Sequence, residues 1–168
     1  MAENGVGASV RRKQHHRFLT AKATYTYHLN VVGQTHAYFV RSPHAHATIN
    51  NINTSAALAA DGVVAVLTGD DLAADGIGPL ICGVSVTSDD GEPHRAPVHS
   101  ALAQGKVNYV GDHVAVVIAE TLTEAKDAAE KVEVDYGILP AVTDTATAAD
   151  DGQEQIHEVA PNNQCFNW

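Results

Sequence analysis

Apolar and polar positions change rhythm several times along the chain, and each change predicts an element. Residues 1–20, ending in "RRKQHHRFLT", carry neither a helical nor an alternating apolar period and predict a polar, basic arm. The run "THAYFVR" predicts a strand from Thr35 to Arg41, and "HATINNI" a second from His46 to Ile52. Alternation in the second would put Ala47, Ile49 and Asn51 on one face, with His46, Thr48 and Asn50 on the other. Pro43 separates the two strands, because it has no N–H for a ladder and biases Ser42 toward extended backbone.

A short Ala/Leu turn follows, with Asn53 or Thr54 suited to its N-cap and Gly62 to its C-cap. "VVAVLTG", Val63 to Gly69, is apolar at successive positions and predicts a strand buried on both faces. "DDLAADG" predicts one more helical turn. Residues 77–100, interrupted by Gly and Pro and holding the acidic "SDDGEPHR", predict a long loop or hairpin excursion. His113 to Ala119 predicts a strand that leads to Thr121, which forms a T-x-x-E capping box with Glu124. Ala125, Ala128, Ala129 and Val132 recur at i, i+3, i+4 and i+7, marking one face of a helix of about three turns. "VEVDY" predicts another strand, closed by Pro140, so strand, helix and strand here predict a crossover unit. After Ala141 the chain is polar and loop-like. Phe166 and Trp168, large apolar side chains at the very end, are expected where further polypeptide would cover them.

Composition sharpens this α+β reading. Hydrophobic residues reach 45% and aromatics only 5%, so the core must rest on Val, Ala, Leu and Ile in closely spaced layers. Ten Lys and Arg against twenty Asp and Glu give a net charge of −10, which argues against a nucleic-acid partner, whose phosphates demand cations. The basic cluster Arg11 to Arg17 reads as a solvated arm; it lacks the following apolar segment of a twin-arginine leader. No apolar run approaches the ~20 residues of a membrane span, and the expected location is the cytoplasm. Cys82 and Cys165 stand far apart, without the close pairing of zinc or iron-sulfur ligands, and read as small buried hydrophobes.

The histidines of "HAYFVRSPHAHATI" raise the question of a metal site. His44 and His46, at i and i+2 on extended backbone, would point to the same side. A catalytic zinc needs a third ligand and usually a carboxylate behind one of them, and no nearby motif supplies it. The preferred reading is structural, with Arg41 and these histidines bonding to groups around the turn at Pro43. His15 and His16 belong to the arm, and His94, His99, His113 and His157 read as exposed or partner-facing. "GDDLAADG" lacks the alternating oxygen ligands of a calcium loop. With no G-x-S-x-G, Walker loop or G-x-G-x-x-G, the reading assigns no catalytic, cofactor-binding or metal-ligating residue to this chain.

Several segments nonetheless occur together in a recognisable order. "FLTAKATYTYHLNVVGQTHAYFVRSPHAHATI", "GVVAVLTGDDL", "KVNYVGDHVAVVIAET" and "AEKVEVDYGILPAV" resemble, in order and spacing, the N-terminal α/β-hammerhead domain of molybdenum hydroxylase large subunits. That family comprises xanthine dehydrogenase, aldehyde oxidase and aerobic carbon monoxide dehydrogenase. The chain departs from the family pattern where L-T-G and two aspartates are usual, having Thr20-Ala21 and Tyr27-His28 instead, and the lost glycine would remove a left-handed turn residue.

The resemblance implies a hammerhead fold of mixed sheets with short crossover helices, organised as a basic arm over 1–20, the hammerhead over 21–145 and a tail over 146–168. The tail would lead toward a molybdopterin-binding domain. It also implies hydroxylation of a substrate carbon with oxygen from water, in a truncated or split subunit that is itself inactive. No cofactor is expected on this chain alone; molybdopterin belongs to the complete large subunit, with iron-sulfur clusters and FAD on partner subunits or domains. Expected partners are the remainder of the large subunit and the iron-sulfur and flavin subunits. A stand-alone, non-catalytic interaction module of the same fold is the alternative. A biotinyl or lipoyl carrier is disfavoured, since its M-K-M turn is missing and the one methionine is Met1.

Overall fold

A computed structural model describes residues 5–168, which divide into two compact units, 5–34 and 35–168. In the first, α1 (His15–Leu19) closes through a Schellman turn: Lys22 N–H donates to Arg17 O at 2.8 Å and Ala21 N–H to Phe18 O at 3.3 Å. Ala21 holds the left-handed position at φ 53°, where the family pattern has glycine. The turn therefore persists, with an alanine in a conformation that a Cβ disfavours. Phe18 stacks on Tyr25 at 4.7 Å, just before a 3-10 turn at Thr26–His28.

The second unit runs β1 (His36–Arg41), β2 (Ala47–Asn53), α2 (Ser55–Leu58), β3 (Val63–Thr68), α3 (Gly69–Ala74), β4 (Lys106–Val107), β5 (His113–Ala119), α4 (Leu122–Ala129) and β6 (Glu133–Ile138). Two three-stranded antiparallel sheets result, ordered β1-β5-β3 and β4-β2-β6. The predicted crossover is thus corrected. Both edges of β5 are taken, by β1 and β3, so α4 cannot return the chain beside it and delivers β6 to the other sheet. The helix ends at Ala129, earlier than its apolar repeat, leaving Val132 just ahead of β6.

Small side chains let the layers approach closely. Ala57, Val117, Ala128 and Ala129 form one core between the first sheet and its helices, with Val40, Val63, Val66 and Val132 against it. A second core joins Ala47, Ala103, Val107 and Val114, flanked by Ile49, Ile52, Val134 and Tyr136. A bulge links the two. Arg41 pairs with His113 and Val40 with Ala115, so Val114 is the extra residue in the ladder and is buried in the second core. Fully burying such a valine is worth about 1.5–3 kcal/mol.

Another irregularity in β2, between Ile49 and Asn51, changes the phase that strict alternation predicts. Ile52 consequently joins Ala47 and Ile49 on the core while Asn50 and Asn51 are exposed. β3 also differs from expectation: it is an edge strand, mostly half-buried, with Val64 58% exposed. The capping box is present, Thr121 N–H donating to Glu124 Oε2 at 2.9 Å and Glu124 N–H to Thr121 Oγ1 at 3.2 Å. Thr68 and Asp71 form a second box at α3. Residues 77–100 are an irregular excursion with one bridge, Thr87 to Pro93.

Candidate functional site

The "RSPHAH" corner is held by its backbone before any side chain acts. Ser42 N–H donates to Asp112 O and Gly111 N–H returns a bond to Ser42 O, both at 2.8 Å, while Arg41 Nη1 donates to Gly111 O at 3.2 Å. The end of β1 is thereby fixed to the turn that opens β5. Ser42 Oγ accepts from His44 N–H at 3.0 Å and bonds to the Tyr136 side chain. Burial pushes the Tyr136 hydroxyl above the usual phenol range, and the Ser42 bond partly offsets this.

His44 and His46 do not converge. They precede β2, which starts at Ala47, so the strand alternation that would align them does not apply. His44 lies edge-on to Tyr136 at 4.9 Å, whereas His46, 2% exposed, places Nδ1 2.7 Å from Pro140 O. Among the described residues, no three His, Cys, Asp or Glu side chains gather in a group that could hold a metal ion. Cys82 is exposed and Cys165 half-buried, correcting their reading as core residues.

Beside this corner, residues 98–112 and the tail enclose a cavity of about 290 Å³, walled by His99, Lys106, Asn108, Tyr109, Asp112 and His157 among others. Lys106 reaches it from β4 and donates through Nζ to Ile156 O at 2.9 Å, pinning the tail. Asn163 holds the same tail segment from within, accepting from Ile156 N–H and donating to Glu154 O and Ala148 O. Asp112, 7% exposed, accepts from Asn108 N–H at 3.1 Å and bonds to the Tyr109 side chain. Burial, then the Asp112 carboxylate, raises the Tyr109 hydroxyl above its ordinary range. His157 is driven the other way: burial first, then Lys106, His46 and His99, hold its ring below the usual imidazole range against the pull of Asp112.

The histidines expected at the surface therefore separate. His99 is exposed and parallel to Tyr109 at 6.2 Å, His94 half-buried against Phe166, and His113 half-buried on Phe39 at 4.4 Å. Only His157 and His99 reach the cavity. Sequence reasoning missed Lys106, Asn108, Tyr109 and Asp112 as one site. Their only signal was polar residues clustered between two apolar runs.

Residues 20–140 match the family model described as "Aldehyde oxidase and xanthine dehydrogenase, a/b hammerhead domain". The chain is 37% identical over 144 residues to the nicotine 6-hydroxylase large subunit of Paenarthrobacter nicotinovorans, covering 86% of this chain and 17% of that protein. It is 32% identical over 139 residues to the putative xanthine dehydrogenase molybdenum-binding subunit of Escherichia coli K12, covering 83% and 18%. Among solved structures, quinoline 2-oxidoreductase from Pseudomonas putida 86 superposes with a TM-score of 0.73 at 36% identity, over 89% of this chain and 18% of that one. The Cu,Mo-CO dehydrogenase gives 0.71 at 35%, again over 89% and 18%. The chain thus spans less than a fifth of these relatives' length. With two antiparallel sheets, two small-residue cores and the matched segment 20–140 in agreement, this chain belongs to the aldehyde oxidase and xanthine dehydrogenase family through its a/b hammerhead domain.

Proposed function

We propose that this chain is the structural N-terminal domain of a molybdenum hydroxylase large subunit, docking on the cofactor-bearing remainder of that subunit. The observation that carries the reading is the family match over 20–140, on a body with two buried cores of small side chains. In this reading residues 1–20 are a basic arm, 21–145 the hammerhead, and 146–168 the tail leading toward the molybdopterin-binding region. The assembled enzyme works in the cytoplasm with iron-sulfur and flavin subunits as partners. Among the described residues no helix is long and apolar enough to cross a membrane.

This reading assigns none of the family's cofactors to this chain. The described metal-binding side chains form no group of three, the two cysteines are single, and the cavity beside the corner is walled by an ammonium, imidazoles and one already engaged carboxylate. Bound in the complete enzyme, the molybdenum cofactor supplies hydroxylation of a substrate carbon with oxygen from water. This chain's part is to position and cover.

The test is co-expression with a large subunit of the CO dehydrogenase type from which the homologous segment has been deleted. Co-purification of the two pieces with recovery of molybdenum is the expected result. The purified chain alone should contain no stoichiometric molybdenum, iron or flavin. Failure of the pieces to associate, with the chain folded, would overturn the docking role in favour of a stand-alone module.

A further inference from the structure

We propose that the cavity bounded by Lys106, His99 and His157 is a binding site for a small oxyanion, either a free ion or the carboxylate of a partner side chain. This inference is independent of the docking role. The acidic balance of the chain disfavours an extended polyanion, but a cavity of about 290 Å³ is governed by the few groups in its walls. Those groups are unusual for this protein. One ammonium and two imidazoles face the space, and His46 lies near enough to act on His157.

The single carboxylate among the lining residues, Asp112, is turned to its own loop by bonds from Asn108 N–H and the Tyr109 side chain. Lys106 is held in place rather than swinging in solvent: one hydrogen of Nζ goes to Ile156 O at 2.9 Å, which leaves two for a ligand. Ser100 adds a hydroxyl to the same wall. Burial first, then Lys106, His46 and His99, hold the His157 ring below the usual imidazole range, and an anion seated beside it in the cavity would favour its protonated form. Lys106, His99, His46 and Asp112 are the titratable groups that act on it.

Imidazole NMR titration of the chain tests this, in chloride and in inorganic phosphate at equal ionic strength. Phosphate should raise the His157 midpoint by ~1 unit, the effect of an opposite charge within contact range. Lys106→Gln should abolish the rise. Because that variant also loses the bond to Ile156, His99→Gln gives a second reading away from the tether and should weaken phosphate binding severalfold. A parallel titration with N-acetylglutamate amide separates the sources: a larger response to it supports a partner carboxylate, and a larger response to phosphate supports a free ion. A His157 midpoint that neither ligand moves, or one moved equally in native protein and both variants, would overturn the site.

Discussion

His46 Nδ1 lies 2.7 Å from the carbonyl oxygen of Pro140, joining the entry of β2 to the exit of β6 across 94 residues of sequence. A carbonyl can only accept, so the ring carries its proton on Nδ1. His46 O accepts in turn from Leu139 N–H at 3.0 Å, so the ladder between β2 and β6 ends in a side-chain bond.

Replacing His46 should therefore destabilise the body more than replacing His44. His46→Phe keeps an aromatic ring but leaves Pro140 O without its buried donor, and a loss of about 1–2 kcal/mol is expected. His44→Phe retains the aromatic contact with Tyr136 and should cost less than about 0.5 kcal/mol. Urea midpoints for the two variants check the order. The double change of His44 and His46 to Gln should lower stability by about 1–2 kcal/mol and leave zinc affinity at the level of a generic surface site.

Acid should loosen the tail. His157 has a folded pKa below its unfolded value of 6.5, so the unfolded chain binds the proton more readily. Its contribution is unchanged above that value, becomes unfavourable as pH falls through 6.5, and levels off below the folded pKa. In chloride, His157→Gln should flatten the stability profile in that window. Native and variant profiles of equal slope would contradict the assignment.

The Schellman turn after α1 contains an avoidable strain. Ala21→Gly removes the Cβ from a residue at φ 53° and should stabilise the turn by about 0.5–1 kcal/mol. Slower hydrogen exchange at the Lys22 amide, whose N–H donates to Arg17 O, is the readout.

Gly69 opens α3 where its Cα faces the backbone oxygen of Ala103, and an added Cβ would clash with that oxygen. Neither group is the end of a flexible side chain. Gly69→Ala should cost about 1–3 kcal/mol through the backbone shift it forces, seen as a lower Tm. Gly78, which has open space around it, is the control, and alanine there should change Tm little.

Leu80, Ile81, Val84 and Trp168 are well exposed, Trp168 at 85%. Exposed apolar area of this kind should bind a hydrophobic dye at neutral pH. Adding the remainder of a large subunit should suppress dye binding and shift the emission of Trp168, the single tryptophan, to the blue. A dye-silent chain with unchanged Trp168 emission would favour the stand-alone module.

Local chemistry made much of this protein legible in its sequence. The strand at His113–Ala119, the Thr121–Glu124 box and the break at Pro43 each depend on neighbours a few residues apart, and the structure has them. Tertiary structure alone decided which strands pair. The antiparallel partners of β5 leave it no free edge, so the apparent crossover splits between two sheets. Bulges at Val114 and in β2 then turn side chains out of the alternating phase, because one extra residue reverses the face of all that follow. The cavity lay beyond the sequence for the same reason. Lys106 and His157 are 51 positions apart, and only the return of the tail onto β4 gives them a common wall.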